Sequence, residues 1–209
     1  MAMNRLLASL ALAAGLAAVC GCEGDGGGSG GDVGANDRNL VICMGDSITQ
    51  GYACDGAPYP SQLAALSGKN VVNAGAGGVR ASAGASGINA QLARHPGYIC
   101  ILYGANDAIA GGDPNAVGQQ IAAMVAACRA NQTIPIVATT PPMIGSHALY
   151  DGAARSINDA IRAAASAAGA RVVDLYGAFG SGEAYLVSDG LHPNAAGAAL
   201  IAKMFLGAM

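Results

Sequence analysis

The sequence predicts a three-layer α/β/α sandwich built on a five-stranded, mostly parallel β-sheet. Two observations predict it. From residue 39 to residue 209, short runs rich in β-branched residues alternate with longer stretches rich in Ala. Each short run is bounded by Gly, Pro or polar residues, as strands usually are. A regular strand–helix alternation of this kind folds into a parallel sheet with helices on both faces.

The individual elements follow from local composition and spacing. Strands are predicted at 39–44 (NLVICM), 71–74, 98–103, 134–139 and 170–176. Helices are predicted at 58–67, 85–94, 114–130, 150–168 and 194–207, because Ala favours helix. In the third of them apolar residues recur at intervals of three and four, namely Val117, Ile121, Met124, Val125 and Cys128. Functional residues should then follow the strands, since α/β folds place their sites at the carboxyl ends of strands.

The composition excludes two classes of protein. Of the 209 residues, 53% are hydrophobic and 11% charged, which is not the composition of a disordered chain and is enough apolar material for one core. The net charge is −3, so the chain lacks the excess of Lys and Arg that binding to phosphate backbones requires. We therefore expect no nucleic-acid partner.

Residues 1–22 have the pattern of a secretory signal. Arg5 precedes an apolar run at 6–19 that is too short for a stable membrane span. The run ends in Val-Cys-Gly-Cys, which resembles the bacterial lipobox and indicates lipidation at Cys22. Cleavage near Ala18 by an ordinary signal peptidase is the alternative. Both readings predict an exported protein, and the first an envelope lipoprotein anchored at Cys22.

Residues 23–38 are Gly-rich and predict a flexible tether, which leaves 39–209 as one domain.

Four cysteines lie beyond the signal. Cys43, Cys100 and Cys128 fall within apolar strand or helix patterns and are expected to be buried free thiols, whereas the state of Cys54 stays open.

The first candidate site is Gly45-Asp46-Ser47, directly after the first strand. A Ser at this place can expose its hydroxyl and leave its own N–H unpaired at the start of a helix. That arrangement suits a nucleophile whose oxyanion must be stabilised. An ordinary Gly-Asp-Ser turn is the alternative for this motif alone.

The second candidate site is Asp189-Gly190-Leu191-His192, near the C-terminus. An Asp three residues before a His can reach the ring Nδ1–H, which fixes the tautomer and leaves Nε2 as a general base. A capped helix start with a surface His is the alternative.

Potential oxyanion donors follow the second and third strands. Gly75, Gly77 and Gly78 come after the second, and Asn106 after the third. Glycine N–H groups can approach a substrate closely, and an Asn amide adds a side-chain donor. Together with the N–H of Ser47, these groups offer three donors around one point.

The four blocks, in this order, resemble the SGNH (GDSL-type) hydrolase family, whose fold is flavodoxin-like, over residues 39–209. The layout is similar to that of small bacterial periplasmic thioesterases, lysophospholipases and arylesterases. The resemblance implies that Ser47 is the nucleophile, His192 the general base and acid, and Asp189 the residue that orients His192. It places the oxyanion hole at the N–H groups of Ser47 and Gly78 and at the Asn106 amide.

Further implications of the resemblance concern neighbouring residues. Gly78 is preferred over Gly75 and Gly77 because the family's donor stands five residues after the Asn of its block, here Asn73. Asp46 and Asp107 would bond loop amides rather than touch substrate.

The substrate is predicted only as a class. Contacts to the acyl chain should come from the loops 52–57, 108–113 and 141–150, where Met143, Ile144 and Tyr150 would form an apolar wall. We expect a monomeric esterase for short or medium acyl esters, with lysophospholipids or thioesters as further candidates. A carbohydrate O-acetyl esterase of the same fold and a non-catalytic exported binding lipoprotein are the alternatives.

No cofactor or metal is expected. The G-x-G-x-x-G fingerprint fails because Arg80 stands where Gly is needed, and no P-loop exists because Gly68-Lys69 is followed by Asn70. The three His residues are not spaced as metal ligands.

Overall fold

The computed structural model describes residues 32–209 as an α/β fold with one five-stranded sheet. The strand order is β2-β1-β3-β4-β5, and every neighbouring pair is parallel. This confirms the predicted fold class. The predicted signal segment 1–22 with Cys22, and residues 23–31 of the predicted tether, lie outside the described residues.

The five strands are buried towards the middle of the sheet. They are β1 (Asp37–Gly45), β2 (Asn70–Gly75), β3 (Pro96–Leu102), β4 (Ile134–Ala138) and β5 (Arg171–Val173). Every residue of β3 is buried, as expected for a central strand covered on both faces.

Eight α-helices and one 3-10 helix connect the strands within residues 32–209. They are α1 (Ser47–Gln50), α2 (Tyr59–Ser67), α3 (Ala81–Leu92), α4 (Ala105–Ile109), α5 (Pro114–Ala130), the 3-10 helix Gly145–Tyr150, α6 (Asp151–Ala167), α7 (Leu175–Phe179) and α8 (Ala195–Gly207). No helix in this part of the chain has both the length and the apolar character needed to span a bilayer.

The strand order determines how the helices cover the sheet. The chain moves from β1 to β2 in one direction and from β2 through β3, β4 and β5 in the other, so right-handed crossovers place α2 on the face opposite α3, α5 and α6. α8 packs beside α2, where Tyr59 and Phe205 stack with ring centroids 5.4 Å apart. The direction changes between β1 and β3, which is where a doubly wound sheet opens a crevice for ligands.

Two element boundaries differ from the prediction by more than two residues. The strand predicted at 170–176 ends at Val173, because the Asp174 side chain accepts the N–H of Gly177 and starts α7. The helix predicted from residue 85 begins at Ala81, whose N–H is accepted by the carboxylate of Asp107 on a distant helix.

Packing of the described chain begins before residue 39. Val33 is fully buried, and the Asn36 side chain donates to the carbonyl of Asn131 and to the hydroxyl of Thr133. These contacts lie inside the segment 23–38, for which the sequence predicts a flexible tether.

The cysteines lie largely where the pattern places them. Cys43 and Cys100 are fully buried register partners on β1 and β3, and Cys128 is fully buried on α5. Cys54 is half-buried, and its thiol donates to the carbonyl of Ala57 at 3.8 Å. All four are free thiols.

Candidate active site

Ser47 is held at the carboxyl end of β1 by the start of a short helix. β1 ends at Gly45, Asp46 is the N-cap of α1, and Ser47 is the first helical residue. The Asp46 carboxylate accepts the N–H of Ile48 at 2.9 Å, as expected of an N-cap side chain. The N–H of Ser47 points out of the first helical turn, where no intrahelical acceptor exists.

The structure brings Ser47, His192 and Asp189 into one hydrogen-bonded chain. The Ser47 hydroxyl lies 2.9 Å from His192 Nε2, although 145 residues separate them in the sequence. His192 Nδ1 lies 2.6 Å from Asp189 Oδ2. His192 is buried, with 7% of its surface exposed, so bulk water competes little for these bonds.

Local hydrogen bonds keep Asp189 ionised. Its Oδ1 accepts the backbone N–H groups of Leu191 and His192 at 2.9 and 3.0 Å. Burial raises the pKa of Asp189, but the bonds from the His192 ring and from these two N–H groups outweigh it and lower the pKa below its ordinary value. An ionised Asp189 can only accept, so His192 Nδ1 must donate and Nε2 of the neutral ring is free to accept the hydroxyl proton of Ser47.

Two further carboxyl groups lie behind the nucleophile. Asp46 is 1% exposed, and burial raises its pKa to about 7, against the bond from Ile48 N–H and with a contribution from the charge of Asp107. Burial also raises the pKa of Asp107, against the bond from the N–H of Ala81. As predicted, both side chains bond backbone amides of loops and helix starts.

The second and third sequence blocks are joined by one hydrogen bond. The Asn106 amide, near the start of α4, donates to the carbonyl of Val79 at 3.0 Å. Val79 directly follows Gly78, so this bond ties the Gly78 backbone to Asn106. An amide nitrogen carries two hydrogens, and the second is left for a substrate oxygen.

Gly75 and Gly78 of the second block differ in their surroundings. Gly75 donates its N–H to Asn73 Oδ1, and a methyl group there would collide with the backbone of Thr49 and Gln50. Gly75 therefore serves close packing against α1. Gly78 has φ +75°, with open space where a side chain would be, which fits a loop whose backbone faces a ligand.

The sequence profile of the GDSL-like Lipase/Acylhydrolase family matches residues 43–200, which span all four blocks. The chain belongs to this family. Its members are hydrolases, and the family points to ester hydrolysis as the general chemistry. No curated protein sequence matches the chain.

Solved structures of GDSL hydrolases share the fold. A G-D-S-L family protein from Desulfitobacterium hafniense DCB-2, described as lipolytic, is 26% identical, with a TM-score of 0.72, and the match covers 82% of this chain and 100% of that one. The lipase/acylhydrolase from Enterococcus faecalis is 24% identical, with a TM-score of 0.70 and coverage of 81% and 94%. TesA is 22% identical, with a TM-score of 0.68 and coverage of 81% and 97%. At these identities the last two support the fold alone.

The loop after β4 differs in part from the apolar wall expected in this GDSL hydrolase. Met143 is 2% exposed and belongs to the core, so its side chain is not available to a substrate at the surface. Ile144 and Tyr150 are half-buried and pack on the edge of the core.

Three residues next to the triad of this GDSL hydrolase were not singled out by the sequence. The Tyr52 ring, 62% exposed, stands edge-on to the His192 ring at a centroid distance of 4.9 Å. Ser146 and His147 contact the carbonyl of Asp189. All three lie in predicted acyl-contact loops, Tyr52 in 52–57 and the other two in 141–150, but nothing in the local sequence indicates that Ser146 and His147 bond the Asp189 carbonyl.

Within residues 32–209, no three His, Cys, Asp or Glu side chains come together as a metal-binding group.

Proposed function

We propose that this protein is a serine esterase that hydrolyses carboxylic esters through an acyl-enzyme on Ser47. The observation that carries the proposal is the continuous chain of hydrogen bonds from Ser47 Oγ through His192 to Asp189. A serine hydroxyl is a weak nucleophile unless an adjacent base removes its proton, and this chain supplies such a base and fixes its tautomer.

In the proposed first step, Ser47 Oγ attacks the ester carbonyl carbon while His192 Nε2 takes the hydroxyl proton. The tetrahedral intermediate collapses when His192 returns that proton to the leaving alcohol oxygen. Asp189 stays ionised and stabilises the imidazolium. In the second step a water molecule attacks the acyl-enzyme by the same proton path and releases the acid.

The charge that develops on the carbonyl oxygen requires donors already in place. The N–H of Ser47, the N–H of Gly78 and the second Asn106 amide hydrogen are the proposed donors. The bond between Asn106 and Val79 supports this assignment, because it holds the amide next to the Gly78 backbone before substrate arrives. Donors held in this way need no reorganisation during the reaction.

For the substrate we propose short or medium acyl esters. Tyr52 is exposed beside His192, and Ile144 lies next to the Asp189 loop, where its N–H donates to the carbonyl of Gly190. These side chains offer apolar surface beside His192 and beside the Asp189 loop. The lipolytic description of the Desulfitobacterium protein supports the same substrate class. Lysophospholipids and thioesters extend the proposal to longer acyl chains and to a sulfur leaving group.

The proposal includes export. The signal pattern at 1–22, with its lipobox-like end at Cys22, supports an envelope lipoprotein held by a lipid anchor, and a soluble exported form is the alternative. Incorporation of labelled palmitate, and its loss in Cys22→Ala, would separate the two forms.

The test of the function is hydrolysis of p-nitrophenyl acetate and butyrate by the purified domain. Wild type should turn over both esters, and Ser47→Ala should lose nearly all turnover. Ser86→Ala, an exposed helical serine far from the triad in sequence, is the matched control and should behave as wild type. Activity of Ser47→Ala near the wild-type level would rule out the proposed nucleophile.

A chain-length series of nitrophenyl esters, run beside an acetylated xylo-oligosaccharide, defines the substrate. Preference for butyrate or longer esters supports the proposal. Exclusive release of acetate from the sugar would replace it by carbohydrate deacetylation.

A further inference from the structure

The loop that follows β4 donates hydrogen bonds to the backbone of the loop that carries Asp189. The Ser146 hydroxyl lies 2.8 Å from the carbonyl oxygen of Asp189, and His147 Nδ1 lies 2.7 Å from the same oxygen. The N–H of Ile144 donates to the next carbonyl, that of Gly190, at 2.9 Å. We call Ile144, Ser146 and His147 the acid-loop clamp.

The chemistry of the shared acceptor defines the protons of the clamp. A carbonyl oxygen can only accept, so the Ser146 hydroxyl and His147 Nδ1 must both donate to it. The two donors fill both lone pairs of the Asp189 carbonyl. Ser146 Oγ and His147 Nδ1 also approach each other at 3.4 Å, but their protons are already used on this oxygen.

The Asp189 loop approaches the clamp closely at Gly190. Gly190 has φ +74°, and a methyl group there would collide with the carbonyl oxygen of Ile144. Only glycine satisfies both the left-handed backbone and this close approach. The two loops are therefore fitted to each other along two consecutive peptide groups.

The clamp is itself anchored to the body of the domain. The N–H of Met143 donates to Asp151 Oδ1 at 3.0 Å, and the buried Met143 side chain lies in the core. Asp151 is in turn held by the hydroxyl of Tyr176 at 2.9 Å and by Arg155 at 3.0 Å. Rigid support thus extends from α6 and α7 through the clamp to Asp189.

We propose that Ser146 and His147 are positioning residues for Asp189, the carboxylate of the triad. This inference rests on the proposed function of the triad. Neither side chain needs to touch substrate. By fixing the Asp189 peptide, they hold its carboxylate at 2.6 Å from His192 Nδ1, and through His192 they hold the base against Ser47. Small displacements of a catalytic group lower rates steeply, by about a hundredfold for 1 Å.

The first experiment compares steady-state kinetics of Ser146→Ala, His147→Ala and the double variant with wild type on p-nitrophenyl butyrate. Each single variant should lower kcat about tenfold and the double variant about a hundredfold. KM should stay unchanged, because only the orientation of the Asp189 carboxylate is lost. His147→Asn should recover most of the loss, since its amide nitrogen can donate in place of Nδ1. Ser86→Ala is the matched control for removal of a surface hydroxyl.

The second experiment separates positioning from general stabilisation. Each clamp variant is combined with Asp189→Ala and assayed with a sensitive fluorogenic ester. If the clamp acts through the Asp189 carboxylate, its removal should change kcat by less than about twofold in this background. A double clamp variant with wild-type kcat, or an equal loss with and without Asp189, overturns the proposal.

A third measurement does not require turnover. The low-field proton resonance of the His192 Nδ1–H group reports its bond to Asp189, and it should weaken or shift in the double clamp variant. If wild type is no faster than Ser47→Ala, the proposed esterase function fails. The positioning role of the clamp is then tested by this resonance alone. A change in the double clamp variant relative to wild type supports the role, and an unchanged resonance overturns it.

Discussion

The Asn106 amide has two separable roles, one in stability and one proposed in catalysis, so its removal should have two measurable effects. One amide hydrogen holds the carbonyl of Val79 at 3.0 Å, and the other is proposed to stabilise the oxyanion. In Asn106→Ala, loss of an oxyanion donor should lower kcat by about 10²–10³, equal to about 2.7–4 kcal/mol. Loss of the neutral hydrogen bond to Val79 should lower the free energy of unfolding by about 1 kcal/mol.

The two effects are read by different assays. Initial rates on p-nitrophenyl butyrate give kcat and KM, and thermal unfolding followed by circular dichroism gives Tm, which should fall by about 2–4 °C. Asn106→Asp keeps the shape but places a carboxylate against the Val79 carbonyl and the oxyanion, so its kcat should fall below that of Asn106→Ala. The exposed Asn89→Ala on α3 is the control. A normal kcat with a lowered Tm would show that Asn106 is only structural.

Four more perturbations test other parts of the site. Because burial raises the pKa of Asp46 to about 7 from 3.8, the folded state holds a proton that the unfolded state releases, and wild-type stability should fall as pH rises from about 4 to 7. For wild type this loss in the free energy of unfolding amounts to at most about 4 kcal/mol. Asp46→Asn keeps the helix cap but cannot ionise, so its Tm should depend less on pH than that of wild type. Gly75→Ala should lower both Tm and kcat, since the methyl group collides with the α1 backbone at Thr49. Gly78→Ala should keep its N–H and most activity at a cost of about 1–2 kcal/mol for the left-handed backbone, so a complete loss of turnover with a normal Tm contradicts this role. Asp189→Asn should lower kcat by about 10⁴ by favouring the wrong His192 tautomer, with little change in KM.

The sequence predicts well the features that depend on local patterns of residue type. β1 contains the continuous apolar run 40–44, and β3 and β4 are apolar along most of their length. The blocks that carry Ser47 and Asn106 directly follow strands. Parallel strands bring their carboxyl ends to one edge, so strand order alone places these two residues together at the switch between β1 and β3.

The features that escape prediction depend on short elements or long-range contacts. α1, α4 and α7 have four or five residues, too few to show a helical period. The contact of His147 with Asp189 spans 42 residues and uses a backbone carbonyl, which leaves no mark on residue types. An apolar side chain such as that of Met143 suits both a substrate-binding wall and a core, and only the fold shows which of the two it occupies.

We propose that His192 activates the hydroxyl of Ser47, which then forms a covalent acyl-enzyme. Reaction with a fluorophosphonate probe, followed by intact mass measurement and peptide mapping, tests this claim. Wild type should gain one adduct, on Ser47, while Ser47→Ala gains none and His192→Ala reacts far more slowly. An unlabelled wild type, or an adduct on any other residue, would contradict the claim.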